Sequence, residues 1–300
     1  MNLVALDWGT SSLRGALLDA DGRVLEERSF ARGILTVDET VEQGGFEGVF
    51  ESCFGDWMQP GVLCLIAGMA GSQQGWLEAP YCPCPAGFAD IAARLAWVTS
   101  NRPGKIAIVP GLSIDLDGVL DVMRGEETQV IGALQLLGLQ DARMVLPGTH
   151  SKWVTVSNSQ ITDFSTWMTG EFYALLRQHS ILARTLPLTD TPHDEAAFTQ
   201  GVACALRGDG LLHTAFSVRT LSLFKRMASD ALPSYLSGLV IGEELKGQRL
   251  SSGESLVLIG APELCSRYAQ GLALMGIKPI IIGNQATWAG LKAIADHHLG

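Results

Sequence analysis

Two short stretches carry the residue types most able to do chemistry. Asp7-Trp-Gly-Thr-Ser-Ser-Leu-Arg14 follows an apolar run, and Pro147-Gly-Thr-His-Ser-Lys-Trp153 follows another. A turn of small residues exposes backbone N–H groups and lets an anion approach the chain closely. Gly9, Thr10, Ser11 and Ser12 would present N–H and hydroxyl donors in the first stretch. Gly148, Thr149, His150, Ser151 and Lys152 would do the same in the second, with a cation added. Two such turns facing each other across a cleft would hold a polyphosphate from both sides. Asp7, where the first strand ends, is placed to bind Mg²⁺ through water, because that ion keeps much of its hydration shell. The competing structural explanation is a pair of ordinary tight hairpins.

The elements that position these turns are legible as a pattern. Leu3 to Asp7, Leu13 to Leu18 and Arg23 to Ser29 read as strands, with Asp21-Gly22 as a hairpin turn between the last two. Val62 to Ala67, Ile106 to Val109, Leu256 to Ile259 and Ile280 to Gly283 read as further strands. Phe88 to Val98 and Glu126 to Leu137 have helical spacing, the latter with Gly138 as a cap. Placing Gly9-Thr10 over Gly148-Thr149, an offset of 139, superposes Leu3–Leu6 on Ala142–Val145 and Asp19–Gly22 on Asn158–Ile161. Each copy then runs into another strand, Val24 to Phe30 and Ile161 to Met168. The identities are few and the pattern is consistent, as expected for one β-hairpin duplicated.

Composition narrows the function. A net charge of −10 over 300 residues disfavours broad binding to nucleic acid or anionic membrane. The longest apolar stretch, Gly61 to Gly71, is too short to span a bilayer, and Asp7 interrupts the N-terminal one, so neither a membrane anchor nor a targeting peptide is expected. Six scattered cysteines fit a cytoplasmic protein with buried thiols, and Cys82-Pro-Cys84 lacks a second ligand pair for zinc. No Walker P-loop and no G-x-G-x-x-G occurs.

The first turn resembles the first phosphate motif of the sugar kinase/Hsp70/actin superfamily, and the second turn resembles its second. More narrowly, the chain resembles the 2-dehydro-3-deoxygalactonokinase family. The resemblance rests on Ala67-Gly-Met-Ala-Gly-Ser72, Gly75-Trp76, Ala79-Pro-Tyr81, Val109-Pro-Gly-Leu112, Val122-Met-Arg-Gly-Glu-Glu-Thr-Gln129, the second turn itself and Met168-Thr-Gly-Glu171. It implies an α/β fold of two ribonuclease-H-like, actin-like ATPase domains with an interdomain cleft, divided as 1–138 and 139–300, the last helix packing back on the first. It also implies ATP- and Mg²⁺-dependent phosphorylation of 2-dehydro-3-deoxy-D-galactonate at its 6-hydroxyl, in galactonate breakdown.

The site residues follow from the resemblance. Related sugar kinases carry a catalytic carboxylate at the start of the helix that leads out of the first domain. That position is Glu126, with Glu127 open as the alternative, and Asp7 organises Mg²⁺–ATP. The plainer account of both glutamates is that they complement the helix dipole. A sugar acid needs a cation, for which Arg124 is the best candidate; Ser72, Gln73 and Trp76 would bind hydroxyls, and Trp8 would wall the cleft. Gly260 and Ala261, with Gly283 and Asn284 in a repeated strand–glycine–helix pattern, would face adenosine. Gly238 and Gly242 share a helix face and serve either close ligand approach or helix packing. A kinase for another sugar acid or keto sugar and a non-catalytic sugar-sensing regulator are the alternatives, and a homodimer is left open.

Overall fold

The computed structural model describes residues 2–37, 44–100 and 103–299. It is a mixed α/β protein. The chain first forms the meander β1 (Leu3–Trp8), β2 (Leu13–Leu18) and β3 (Val24–Phe30), then α1 (Gly45–Phe54) and β4 (Leu63–Gly68). Next come β5 (Cys82–Pro83), α2 (Phe88–Ala92), β6 (Ala96–Val98), β7 (Lys105–Ile108), β8 (Leu112–Leu116), β9 (Val119–Met123) and α3 (Glu126–Leu137). A second meander follows, β10 (Ala142–Leu146), β11 (Ser151–Ser157) and β12 (Gln160–Trp167). Helices α4 (Thr169–His179), α5 (Glu195–Leu206), α6 (Leu211–Thr214), α7 (Ser217–Leu223) and α8 (Leu232–Gly247) lead to β13 (Leu256–Ile259), α9 (Pro262–Ala273), β14 (Ile280–Ile282) and α10 (Gln285–Leu299).

The two larger sheets repeat one plan. The first has the order β3-β2-β1-β4-β7-β6 and the second β12-β11-β10-β13-β14, so among the described residues β6 alone in the first lacks a counterpart. β1 lies antiparallel to β2, with Asp7 opposite Arg14, and parallel to β4, with Trp8 opposite Gly68. Central β1 and β4 are apolar at nearly every position because both faces are covered. By packing, the chain divides into two compact units, Met1–Met144 with Val154–Ser165 and Ile282–Gly300, and Val145–Trp153 with Thr166–Ile281. Among the described residues no helix is long and apolar enough to cross a membrane.

Two expectations need correction. The helical spacing over Phe88 to Val98 is realised only to Ala92; Ala96–Val98 instead pairs antiparallel with β7. β7 offers an open edge, and the β-formers Trp97 and Val98 gain ladder hydrogen bonds there that outweigh a helix-like spacing. The β8–β9 hairpin was not anticipated, although Asp117-Gly118 between alternating residues is a strong hairpin signal. Asp117 (φ 52°) and Gly118 (φ 83°) adopt the left-handed conformations that such a turn requires.

Helices α3 and α10 pack against each other in the first unit. Their crossing is built on Gly132 and Gly290. A Cβ on Gly132 would overlap the Ala286 carbonyl, and one on Gly290 would overlap the Thr128 carbonyl. Replacing Gly132 by Ala improves helix propensity by about 1 kcal/mol. The added methyl meets backbone that cannot rotate aside, and overpacking costs about 1–3 kcal/mol. Gly132→Ala should therefore lower the chemical-denaturation midpoint; a midpoint equal to wild type would contradict this contact.

Candidate active site

In the first unit three glycine-dependent contacts converge at the end of β1. Gly68 (φ 92°) leaves room beside the Trp8 carbonyl and Asp7 Oδ1, which a Cβ would approach to 2.8 and 3.3 Å. Gly125 (φ 108°) lies against Gly68, its Cβ position 3.2 Å from the Gly68 Cα. The residue that opens α3 is thereby packed on Gly68, which itself lies beside Asp7. The Asp7 carboxylate is ion-paired through Oδ2 with Arg14, its cross-strand neighbour, a partner the sequence reading did not supply. Thr10, Ser11 and Ser12 are exposed in the turn that follows, which the Gly9 N–H to Ser12 carbonyl bond (2.9 Å) closes.

The two glutamates of α3 sit in different surroundings. Glu126 is half-buried, and its Oε2 accepts the Arg124 N–H at 3.0 Å. Glu127 is fully buried; its Oε2 accepts the Gly125 N–H at 2.7 Å, and its Oε1 has no partner. Burial, and secondarily the charge of Glu126, pushes the Glu127 carboxyl up to about 8. Both side chains thus satisfy N–H groups at the entry to the helix.

Arg124 is 9% exposed and is set by the loop that follows β4. Its Nη2 donates to the Ala79 carbonyl at 2.8 Å, and its guanidinium lies 4.4 Å from the centre of the Tyr81 ring. Its Nε and Nη1 are buried without a hydrogen-bond partner, and so is Ser72 Oγ. Gly71 is what admits the guanidinium, since a Cβ there would stand 2.7 Å from Nη1. Buried donors are nearly always satisfied in folded proteins, so these groups call for an acceptor that the described protein atoms do not supply. Gln73 is exposed and Trp76 half-buried in the same loop. Trp8 does not wall a site: it is fully buried, with Nε1 donating to the Arg32 carbonyl (3.0 Å) and its ring packed on Phe46 and Trp76. It alternates inward on β1, so core packing takes it.

In the second unit the Gly148–Ser151 turn lies against the start of α4. A Cβ on Gly170 would come within 2.7 Å of the Gly148 carbonyl and 2.8 Å of the Thr149 Cα, and the Glu171 N–H donates to the Thr149 carbonyl at 3.1 Å. A helix N-terminus at a turn of small residues favours an anion. Thr149 and His150 are exposed, the imidazole Nε2 lying 2.5 Å from Glu171 Oε2. Ser151 and Lys152 point elsewhere than expected. Ser151 is fully buried, its hydroxyl 2.8 Å from the Tyr268 hydroxyl; Lys152 is 6% exposed, its Nζ donating to Thr166 Oγ1 at 2.6 Å. Both belong to β11, whose opposite faces are both covered at these positions, so the two side chains, which point to opposite sides, are each buried.

Beside this turn opens a cavity of about 460 Å³, walled by Gly148, Thr149, Tyr173, Ser237, Ala261 and Arg267 among others. Ala261 is thus where sequence reasoning put it. Gly260 (φ 152°) stands behind it, its Cβ position 3.7 Å from the Pro147 carbonyl. Gly283 and Asn284 are not among the lining residues; their carbonyls accept the first N–H groups of α10, those of Ala286 and Thr287. Tyr173, Ser237 and Arg267 were missed, because nothing in their local sequence distinguishes them from other helix residues. Gly238 and Gly242 serve packing: their Cβ positions fall on Phe198, Val202 and Ala205 of α5. Among the described residues no three His, Cys, Asp or Glu side chains gather as a metal-ligand set.

Comparison with known proteins gives consistent matches. A family profile described as 2-keto-3-deoxy-galactonokinase matches residues 7–294. The 2-dehydro-3-deoxygalactonokinase of Escherichia coli (strain K12) is 35% identical over 295 residues, 97% of each chain. A probable 2-dehydro-3-deoxygalactonokinase of Rhizobium meliloti (strain 1021) is 37% identical over 297 residues, 97% of this chain and 95% of that one. A crystal structure from Sinorhizobium meliloti, provisionally described as the same enzyme, superposes with a TM-score of 0.89 at 36% identity, covering 98% of both chains. Component A of Acidaminococcus fermentans (R)-2-hydroxyglutaryl-CoA dehydratase shares the fold alone, with a TM-score of 0.51 at 10% identity over 98% of this chain and 96% of that one.

Proposed function

The chain belongs to the 2-keto-3-deoxy-galactonokinase family, and from that premise we propose that it transfers the γ-phosphoryl group of ATP to the 6-hydroxyl of 2-dehydro-3-deoxy-D-galactonate. The observation that carries this reading is the buried pair of unsatisfied donors, Arg124 and Ser72. A guanidinium with N–H groups left to satisfy suits a carboxylate, which neutral hexoses lack. Arg124 takes the sugar-acid carboxylate, and Ser72, Gln73 and Trp76 line its hydroxyls. Glu126 accepts the proton of the 6-hydroxyl as its oxygen attacks the γ-phosphorus; the bond to the β,γ-bridging oxygen breaks, and ADP leaves.

The turn Gly9–Ser12 and the turn Gly148–His150 take the phosphates, and the 460 Å³ cavity beside the second takes adenosine, with Ala261, Ser237, Tyr173 and Arg267 as its walls. Mg²⁺ enters with ATP as part of that substrate. With Oδ2 held by Arg14, Asp7 has Oδ1 left to orient a water of the ion, which suits a cation that takes one or two carboxylates plus phosphates. In this reading 1–138 and 139–300 are two ribonuclease-H-like domains, as the repeated strand order supports. The setting is the cytoplasm, where ATP is available and the six cysteines, all free, stay reduced.

A coupled assay of ATP consumption across 2-keto-3-deoxy sugar acids and neutral hexoses tests the reading. Turnover should be confined to the sugar acids. Arg124→Ala should raise KM for the sugar acid by about 10- to 100-fold, the cost of leaving a buried charge partner unpaired, with KM for ATP little changed. Equal use of glucose, or an unchanged sugar-acid KM, would contradict it.

A further inference from the structure

A buried carboxylate lies behind the second turn. Glu244 on α8 is 1% exposed. Its Oε1 accepts Trp153 Nε1–H at 2.7 Å; its Oε2 accepts the Tyr268 hydroxyl at 2.6 Å and also the Thr169 hydroxyl. Three donors converge on it, and their hydrogen bonds favour the ionised form, which can only accept, against the burial that pushes the carboxyl above its ordinary value. That fixes the direction of every bond further along. Tyr268 donates to Glu244, so its oxygen accepts from Ser151, 2.8 Å away. The Ser151 oxygen is then left to accept the Gly148 N–H, at 3.4 Å. The second arm runs through Thr169, which immediately precedes Gly170, the residue packed on Gly148 and Thr149. One carboxylate therefore ties down the turn from below and the helix start that lies against it.

We infer that Glu244 is a positioning residue for nucleotide binding: through Tyr268 and Ser151 it holds the Gly148–His150 turn, and through Thr169 the start of α4, in the arrangement that receives phosphate. This rests on the reading that the turn takes the phosphates of ATP. Glu244 touches no reacting atom. The Trp153 indole can only donate and so claims the oxygen of an amide, which puts the amide N–H groups where Tyr268 and Thr169 also donate; the relay must reverse or break, and Ser151 no longer meets the Gly148 N–H in the same geometry.

The test measures the affinity of a non-hydrolysable ATP analogue with Mg²⁺, and KM for ATP and for the sugar acid, in the purified full chain. Glu244→Gln and Ser151→Ala should each weaken analogue binding and raise KM for ATP by about tenfold, the scale of one unsatisfied buried group. KM for the sugar acid should stay at its wild-type value. Trp153→Phe removes a donor from the same carboxylate but lies off the relay; it should lower the thermal midpoint and leave both KM values alone. Should Glu244→Gln fail to fold, Ser151→Ala, which loses a single hydroxyl, reads the same quantity. Wild-type analogue affinity in Ser151→Ala, or an equal rise in both KM values, overturns the inference while the kinase reading stands. A wild-type protein that binds no analogue overturns both.

Discussion

Glu126→Gln should lower turnover by about 10²- to 10⁴-fold, the usual worth of a general base. The amide keeps the size of the acid and can still accept the Arg124 N–H that Glu126 Oε2 accepts at 3.0 Å. What it cannot do is take a proton. KM for ATP should barely move, since the lesion concerns the acceptor hydroxyl. Half-burial suits Glu126 to proton transfer, because the side chain is reachable, unlike its neighbour, and stands beside the Asp7–Gly68–Gly125 junction. Steady-state kinetics decides the point. Near-normal turnover in this variant would mean that positioning and metal electrostatics alone carry the reaction.

Glu127→Gln should behave in the opposite way. With its carboxyl pushed up to about 8 by burial, Glu127 is mostly protonated at pH 7, and glutamine mimics that neutral form and retains an acceptor for Gly125. Turnover at pH 7 should stay within a few-fold of wild type. The larger effect is on stability. The folded-state value lies above the ordinary 4.5 of the unfolded chain. The contribution of the acid is therefore fully present below pH 4.5 and is lost as pH rises toward 8. The loss is about 1.4 kcal/mol for each pH unit crossed within that window. Between pH 5 and pH 8 the wild-type denaturation midpoint should fall relative to that of Glu127→Gln, whose amide does not titrate. Parallel midpoints across that range would place the folded-state value near 4.5 instead. Loss of turnover in this variant, with Glu126→Gln active, would move the base by one residue.

Much of this arrangement could be read before any coordinates, and for identifiable reasons. The strands around both turns announced themselves because central strands covered on both faces must be apolar throughout. The 139-residue offset appeared in the sequence because the two meanders share one plan, down to sheet order. Arg124 was legible only through the family resemblance, as the cation that a sugar-acid substrate would need. Ser151 and Lys152 were misjudged because a phosphate-type motif continues into a strand whose two faces are both covered at its start, so neighbouring side chains on opposite faces are both buried. Trp8 was misjudged for the same reason. Tyr173, Ser237, Arg267 and Glu244 act through positions on helices that come together only in three dimensions. Glu244 left no distinct signal of its own, since Glu243 beside it and Lys246 carry charge at the same end of the helix Leu232–Gly247.

The place of α10 has a bearing on synthesis. Its helix packs on α3, α2 and β1, and Trp288 Nε1 reaches Glu27 of β3 at 2.6 Å. The unit that the ribosome begins first is therefore completed by a segment made near the end of the chain. At about 5–20 residues per second, the apolar faces of β1 and α3 wait many seconds for their cover. Throughout that interval the early part of the nascent chain carries an unfinished core, while Val145–Trp153 and Thr166–Ile281 already have all their residues before α10 emerges. The unit translated second is thus free to fold first.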